Sequence, residues 1–354
     1  MQADFLRYSC QMVLPGFGAA AQKRLKEAKV FIAGAGGLGC PAALYLAAAG
    51  IGTLGIADYD RVSVSNLHRQ VLYSEEDAGS PKVASAAAAL RRQNPHIQIN
   101  EHSIKIGADN VMDLLASYDM VVDATDNFDA RYLLNDACVL LGKPLVYGAI
   151  YQYEGQVAVW NLLNPDGTRS PNYRDVFPEV DATQIPDCTV GGVTPPLAGM
   201  IGCMQANEVI KYFSGTGELL AGKLLLLDAA TLQTRLIKIG SASHTPVTSL
   251  PATAEVPTIS AKDLTTSLAG KTVELVDVRN PDERAAFHIG GTHIPLSELE
   301  NKIDSISTQK PVVFYCASGK RSAEAVKRWR KQFPQVPAYS LEGGLKGWTE
   351  LSEP

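Results

Sequence analysis

The stretch Gly34-Ala35-Gly36-Gly37-Leu38-Gly39 constrains this chain more than any other. It follows a short apolar run, Val30-Phe31-Ile32-Ala33, and opens an alanine-rich helical pattern, Pro41 to Ala49. A G-x-G-x-x-G loop between strand and helix lets the backbone approach phosphate, while the helix N-terminus supplies N–H donors and a favourable dipole. Asp58 closes a second strand, Gly52 to Ala57, about twenty residues on, where a carboxylate accepts hydrogen bonds from ribose hydroxyls. Gly34, Gly36, Gly37 and Asp58 are therefore candidate nucleotide ligands. The loop does not say which nucleotide, since a nicotinamide dehydrogenase has both features. A tight strand–helix turn without ligand is the plainer alternative.

Strand-like and helix-like segments keep alternating. Pro81 to Arg92 reads as a helix capped by Ser80, with Pro81 at its first position. Met120-Val121-Val122 and Leu145-Val146-Tyr147 read as buried strands, and Gly155–Trp160 and Leu224–Leu227 as later strands in a mixed extension. The pattern predicts an α/β fold with a mostly parallel sheet covered on both faces. Residues 241–257, SASHTPVTSLPATAEVP, lose all apolar periodicity and read as a linker between domains 1–240 and 258–354. As a flexible coil this linker has a root-mean-square span of about 20–25 Å. Beyond it, strands Val273–Val276 and Val312–Tyr315 and a helix Ser322–Lys331 form a second, smaller α/β domain.

At 354 residues, with 32 Lys and Arg against 37 Asp and Glu, the net charge is 32 − 37 = −5, which argues against nucleic acid as a partner. No apolar run is long enough to span a membrane, and the first residues show no charged leader followed by an apolar stretch. Six cysteines are too sparse for a disulfide scaffold, so a cytoplasmic protein with reduced thiols is expected.

Three further segments separate the nucleotide readings. Ser65-Asn66-Leu67-His68-Arg69-Gln70 puts an Arg and two amides after Asp58 and Asp60, Lys82 sits near the start of its helix, and Asp123-Ala124-Thr125-Asp126-Asn127 ends a buried strand. Arg and Lys together suit a polyphosphate, and a carboxylate at a strand end suits Mg²⁺. Hydride transfer needs no such set, although each residue alone also serves as a solvated charge or a cap.

On these stretches, with RYSCQMVLPGFG, SPKVASA, EGQVAVW and GMIGCMQANEVIK, residues 1 to 240 resemble the ThiF/MoeB/HesA family, relatives of ubiquitin-activating enzymes. The resemblance implies a Rossmann-like, ATP-binding mixed-sheet domain that adenylates the C-terminal Gly-Gly carboxylate of a small ubiquitin-fold sulfur carrier. It also implies a homodimer. By the same resemblance Gly37, Asp58, Asn66, Arg69, Lys82, Asp126 and Asn127 bind ATP, joined by Gly34, Gly36, Ser65 and Gln70. Arg69 and Asp126 then serve catalysis, and Asp126 orients Mg²⁺. Acyl transfer to the α-phosphate asks for charge neutralisation and alignment more than for a general base.

Two departures stand out. Cys10 occupies the place of a family Arg that reaches the partner's phosphates, a loss worth about 10²-fold if it acts like other transition-state donors. Arg7 is the candidate to compensate. The family's structural zinc site, two Cys-x-x-Cys pairs, would fall at Asn172 and Asp175 and near Ser241 to His244, where no cysteine stands. No zinc is expected, and packing or hydrogen bonds should replace it.

Among the cysteines, Cys188 lies in a Gly-flanked stretch, Pro186-Asp187-Cys188-Thr189-Val190-Gly191-Gly192. The family resemblance allows it a thioester, acyl-disulfide or persulfide role; an inert loop cysteine is the alternative. Cys40 opens a helix yet reads as packed, and Cys138 and Cys203 read as core. Cys316 ends the apolar strand and opens Cys316-Ala317-Ser318-Gly319-Lys320-Arg321-Ser322, a strand–loop–helix turn. Backbone N–H groups, the helix dipole, Lys320 and Arg321 are expected to stabilise a thiolate or persulfide there.

With Asp277-Val278-Arg279, His293-Ile294-Pro295-Leu296 and LEGGLKGW, residues 258–354 resemble a rhodanese domain, whose cysteine carries sulfane sulfur. The resemblance makes Cys316 catalytic and implies a donor such as a cysteine desulfurase. Asp277 and Arg279 should pair structurally. The two domains together resemble fused adenylyltransferase–sulfurtransferases of molybdopterin, thiamine or tRNA-thiolation pathways. The rivals are a carrier-binding scaffold with a decayed ATP site, activation for protein conjugation, and a nicotinamide-dependent oxidoreductase.

Overall fold

A computed structural model describes residues 2–178, 192–251 and 256–350. Its backbone falls into two compact units, one of Met1–Val180 with Pro186–Ala252 and one built on Thr253–Pro354.

The first unit is built on an eight-stranded sheet in the order β3-β2-β1-β4-β5-β6-β7-β8. The strands are β1 (Lys29–Ala33), β2 (Thr53–Ala57), β3 (Gln98–His102), β4 (Met120–Asp123), β5 (Leu145–Tyr151), β6 (Glu154–Trp160), β7 (Lys223–Asp228) and β8 (Gln233–Lys238). β3, β2, β1, β4 and β5 pair in parallel; β6, β7 and β8 add on antiparallel. The parallel centre is a continuous apolar run because both faces are covered, and β4 is buried at every position. One face packs Val30, Ile32, Leu54 and Val122 against the helices Gly18–Glu27, Gly39–Ala49 and Pro195–Ser214. The other packs Phe31, Val121, Tyr147 and Trp160 against the helices Val111–Ala116 and Phe128–Leu140.

Small corrections to the sequence reading have local causes. The helix read from Pro81 begins at Lys82, because Pro81 holds an extended ψ of 130° and is itself the cap. β5 and β6 run on from the predicted strands to join in a hairpin, Tyr151 opposite Glu154. The predicted linker is partly fixed: Ser243 N–H donates to Arg169 O at 2.9 Å, Asn164 Nδ2 to Ser241 O at 2.8 Å, and Leu250 packs on the second face. A freely flexible coil over all of 241–257 is therefore ruled out at its start.

The second unit carries a five-stranded parallel sheet in the order β11-β10-β12-β13-β9. Its strands are β9 (Thr258–Ile259), β10 (Glu274–Asp277), β11 (Thr292–His293), β12 (Val312–Tyr315) and β13 (Ala338–Leu341). Val276, Phe314 and Trp329 fill one face; Leu264, Leu275, Tyr315 and Leu341 fill the other. Among the described residues no helix is long and apolar enough to cross a membrane.

Candidate active sites

β1 delivers the glycine loop to the carboxyl edge of the parallel sheet, where open α/β sheets bind ligands. Gly34 has φ +101°, and a Cβ there would stand 2.6 Å from Ala124 O, so the loop is held against the end of β4. Gly36 and Gly37 face other predicted residues. A Cβ on Gly36 would lie 3.6 Å from Gln70 Nε2, and one on Gly37 3.5 Å from the Arg69 side chain. Arg69 and Gln70, distant in sequence, thus fold over the cradle. Asp58 follows β2 directly, its Oδ2 accepting the Ala35 N–H and its Oδ1 the Asp60 N–H, each at 2.8 Å.

The cations and amides are braced by neighbours. Lys82 is buried, its Nζ 2.9 Å from Asp60 Oδ2. Arg69 Nη2 donates to Asn66 Oδ1 at 3.0 Å, and its Nη1 lies 2.7 Å from His68 Nε2. Ser65 Oγ pairs with Ser63 Oγ on the surface. Asn127 Oδ1 caps the Phe128–Leu140 helix through the Ala130 N–H, and its Nδ2 reaches Asp126 Oδ1 at 3.4 Å. Tyr59 has its hydroxyl pKa raised, first by burial and then by Asp60, Asp126 and Asp58, so these three carboxylates share one region.

Beneath this surface lies a pair that sequence reasoning missed. Asp123 is fully buried, and Arg131 Nε meets its Oδ2 at 3.3 Å. Its Oδ1 accepts from Thr125 N and Oγ1 at 3.0 and 2.6 Å, which shapes the turn carrying Asp126. Arg131 also donates to Thr125 O at 3.3 Å and sits 4.9 Å from the Tyr147 ring centroid. Gln205 Nε2 holds the Asp123 carbonyl at 2.7 Å.

The structure fits the nucleotide reading on two observations. The cradle is tight at Gly37, where a Cβ would stand 3.3 Å from Ala198 Cβ, and Gln70 Oε1 is buried beside it without a hydrogen-bond partner. Asp126 is exposed and offers hard oxygen of the kind Mg²⁺ takes.

In the second unit Cys316 follows β12. Its Sγ accepts the Gly319 N–H at 3.2 Å and lies 3.5 Å from Ser322 Oγ, which is 2.8 Å from Ser340 Oγ. Gly344, at φ +61°, lets its backbone close on the loop, and Leu345 N–H donates to Cys316 O at 2.8 Å. The LEGGLKGW stretch therefore buttresses the cysteine loop. Asp277 and Arg279 pair as expected, at 2.7 Å, both buried. Arg321 has a further partner: its Nη1 and Nη2 donate to the Glu283 carboxylate, both at 2.7 Å, while the Cys316 sulfur also acts on its charge. The Lys320 side chain and Cys188 lie outside the described residues.

Comparison with known proteins decides the family. The profile of the ThiF family matches residues 8–248. The chain belongs to the ThiF family. A rhodanese-like domain matches residues 260–351 of this ThiF chain. Over 99% of its length it is 39% identical to the "Probable adenylyltransferase/sulfurtransferase MoeZ" of Mycobacterium tuberculosis, covering 94% of that relative. A "Sulfur carrier protein adenylyltransferase" of Thermus thermophilus is 46% identical across 68% of this chain and 89% of its own. The crystal structure of selenomethionine PaaA superposes with TM-score 0.56 at 24% identity, over 68% of this chain and 74% of that one, a likeness of fold.

The other cysteines of this ThiF chain sort by burial. Burial pushes the Cys40 thiol up to about 12, overriding any effect of the helix N-terminus. Cys138 is fully buried, but Cys203 is only half-buried, not the core residue expected. Cys10 is exposed, and Arg7 Nη1 is spent on Gln93 O at 3.0 Å.

Where the zinc-type cysteines are missing, hydrogen bonds join the two segments. Asp175 Oδ1 accepts from His244 N and Thr245 N at 2.9 and 2.7 Å; Asn172 Nδ2 donates to Ser243 Oγ at 2.8 Å and Thr245 O at 3.2 Å. Asn172 Oδ1 accepts the Arg174 N–H, and Asp175 Oδ2 the Asn172 N–H. With no thiolate and its oxygens already engaged, this donor set does not fit structural zinc.

Proposed function

We propose that the chain activates the C-terminal Gly-Gly carboxylate of a small ubiquitin-fold sulfur carrier with ATP and converts it to a thiocarboxylate with sulfur from Cys316. The observation that carries this reading is Arg69 and Gln70 folded over the glycine cradle, on a chain that also bears a cradled cysteine loop. The full-length relative named for both activities supports it.

Gly34, Gly36, Gly37 and Gln70 would seat the nucleotide, with Asp58 on its ribose. Ser65, Asn66, Arg69, Lys82 and Asn127 would hold the phosphates and Asp126 would hold Mg²⁺. The metal supplies neutralisation of phosphate charge when bound. The carrier carboxylate attacks the α-phosphorus, the bond to the β-phosphate oxygen breaks, and pyrophosphate leaves with the electron pair. The positioned cations stabilise the charge on that leaving group.

A Cys316 persulfide, loaded by a donor such as a cysteine desulfurase, then attacks the acyl carbon, and AMP leaves. The resulting acyl disulfide is opened by the Cys188 thiolate attacking Cys316 Sγ, which releases the thiocarboxylate and leaves a Cys188–Cys316 disulfide. A cellular dithiol reduces it. Leu6, Val13 and Leu14 are exposed on the N-terminal segment, in keeping with a homodimer, and a cytoplasmic setting suits the thiol chemistry.

The test is ATP–pyrophosphate exchange by the purified chain with each Gly-Gly-ended carrier of its genome. Exchange with one carrier is expected, kept by Cys316→Ala, which abolishes only the thiocarboxylate. No exchange with any carrier, but restored by Cys10→Arg, would instead establish a carrier-binding scaffold with a decayed ATP site.

A further inference from the structure

Arg321 closes the cysteine loop, yet its planar fork is already occupied. Nη1 donates to Glu283 Oε2 and Nη2 to Glu283 Oε1, both at 2.7 Å. Such bidentate pairing uses the same donor geometry that would grip an incoming oxyanion.

Glu283 is fixed in place. It stands at the third position of the helix Pro281–Ala286, where its Oε2 also accepts the Asn280 N–H at 3.1 Å in a reciprocal cap. Arg279 ties that helix to β10: Nη1 donates to Glu283 O at 3.1 Å and Nη2 to Phe287 O at 2.7 Å, while Nε holds Asp277 Oδ1 at 2.9 Å. The Arg321 side chain keeps 33% exposure, so an anion arriving from solvent would meet it.

We propose that Glu283 is a specificity-determining residue for sulfur loading, because by neutralising Arg321 it disfavours small anionic sulfane donors at Cys316. The proposal rests on Cys316 being the sulfur-carrying residue. With thiosulfate as donor, the Cys316 thiolate attacks the outer sulfur, the S–S bond breaks, and sulfite leaves with the electron pair. The persulfide stays on Cys316. That step gathers negative charge at the loop, where a free guanidinium would stabilise it and a paired one does so far less.

The test uses the full-length chain and Glu283→Gln, which keeps the cap because Gln serves at the same position. Two readouts are compared: thiosulfate kinetics with cyanide as acceptor, and the alkylation rates of the Cys316 peptide by anionic iodoacetate and neutral iodoacetamide. E283Q is expected to raise kcat/KM for thiosulfate about tenfold, mainly through KM, and to raise the iodoacetate-to-iodoacetamide ratio similarly. Adding Arg321→Ala should remove both gains. Should E283Q not fold, Glu283→Asp, which cannot span the same bidentate distance, should give a smaller rise in both. An unchanged or lower ratio in a folded variant overturns the proposal. A raised ratio with no persulfide formed by any variant upholds the electrostatic clamp and sinks the sulfur-carrying role of Cys316.

Discussion

Asp123 and Arg131 show how much of a site is decided by residues that touch no ligand. The pair lies under the Thr125–Asn127 turn, so the direction in which Asp126 points follows from a contact eight positions apart on the chain. Removing one member of a buried pair leaves an uncompensated polar group, which typically costs ~3–5 kcal/mol. Arg131→Met should therefore lower the unfolding free energy by that amount, read as a lower urea midpoint at unchanged m-value, and Arg131→Lys should recover part of it. Nothing in the sequence marked the pair, since a buried Asp or Arg is written with the same letter as a solvated one. Arg321 was only half legible for the same reason: its place beside Cys316 could be read, but Glu283 as a second partner depends on how the helix Pro281–Ala286 is docked.

At the scale of elements, the short helix Tyr173–Val176 and the irregular segment Ser243–Thr245 act as one clasp through Asn172 and Asp175. Burial alone would raise the Asp175 carboxyl, but hydrogen bonds from Ser243, Asn172, His244 and Thr245 outweigh it and hold the pKa below its ordinary value. A carboxyl depressed in the folded state stabilises fully above its unfolded pKa of about 4, and this contribution is lost as pH falls through the folded value. Asp175→Asn should thus cost about 1 kcal/mol at pH 7, modest because the site is half-open to solvent, and the gap to the parent should narrow as pH falls below about 4. Melting curves across that pH range check this, and addition of a chelator should leave Tm unchanged. Elements were legible wherever burial left a continuous apolar run, as in β1, β4 and β12. They were not legible where the strand is polar or exposed. β3 reads Gln-Ile-Asn-Glu-His, and β8 is exposed at all six positions, held by its pairing with β7 alone.

For the whole molecule, each unit closes its own sheet between its own two apolar faces. Calorimetry should therefore show two unfolding transitions, and Cys316→Ala should leave the larger one unmoved; a single cooperative transition would count against two autonomous cores. The two-part architecture was legible because both glycine-rich motifs must sit at strand ends, whatever surrounds them. The tether was less so, because a run rich in Ser, Thr and Pro looks the same whether it is free or pinned to Asp175. The thiols bear on a different matter, the fate of stray sulfur. A chain that handles persulfide risks losing it to its own bystanders by exchange, and only thiolates exchange. Burial holds the Cys40 thiol up at about 12 and raises that of Cys138 as well, so both stay protonated at neutral pH. Burial therefore does more here than fill a core. It takes these two sulfurs out of circulation, leaving exposed Cys10 as the described thiol most open to picking up sulfur that misses the carrier.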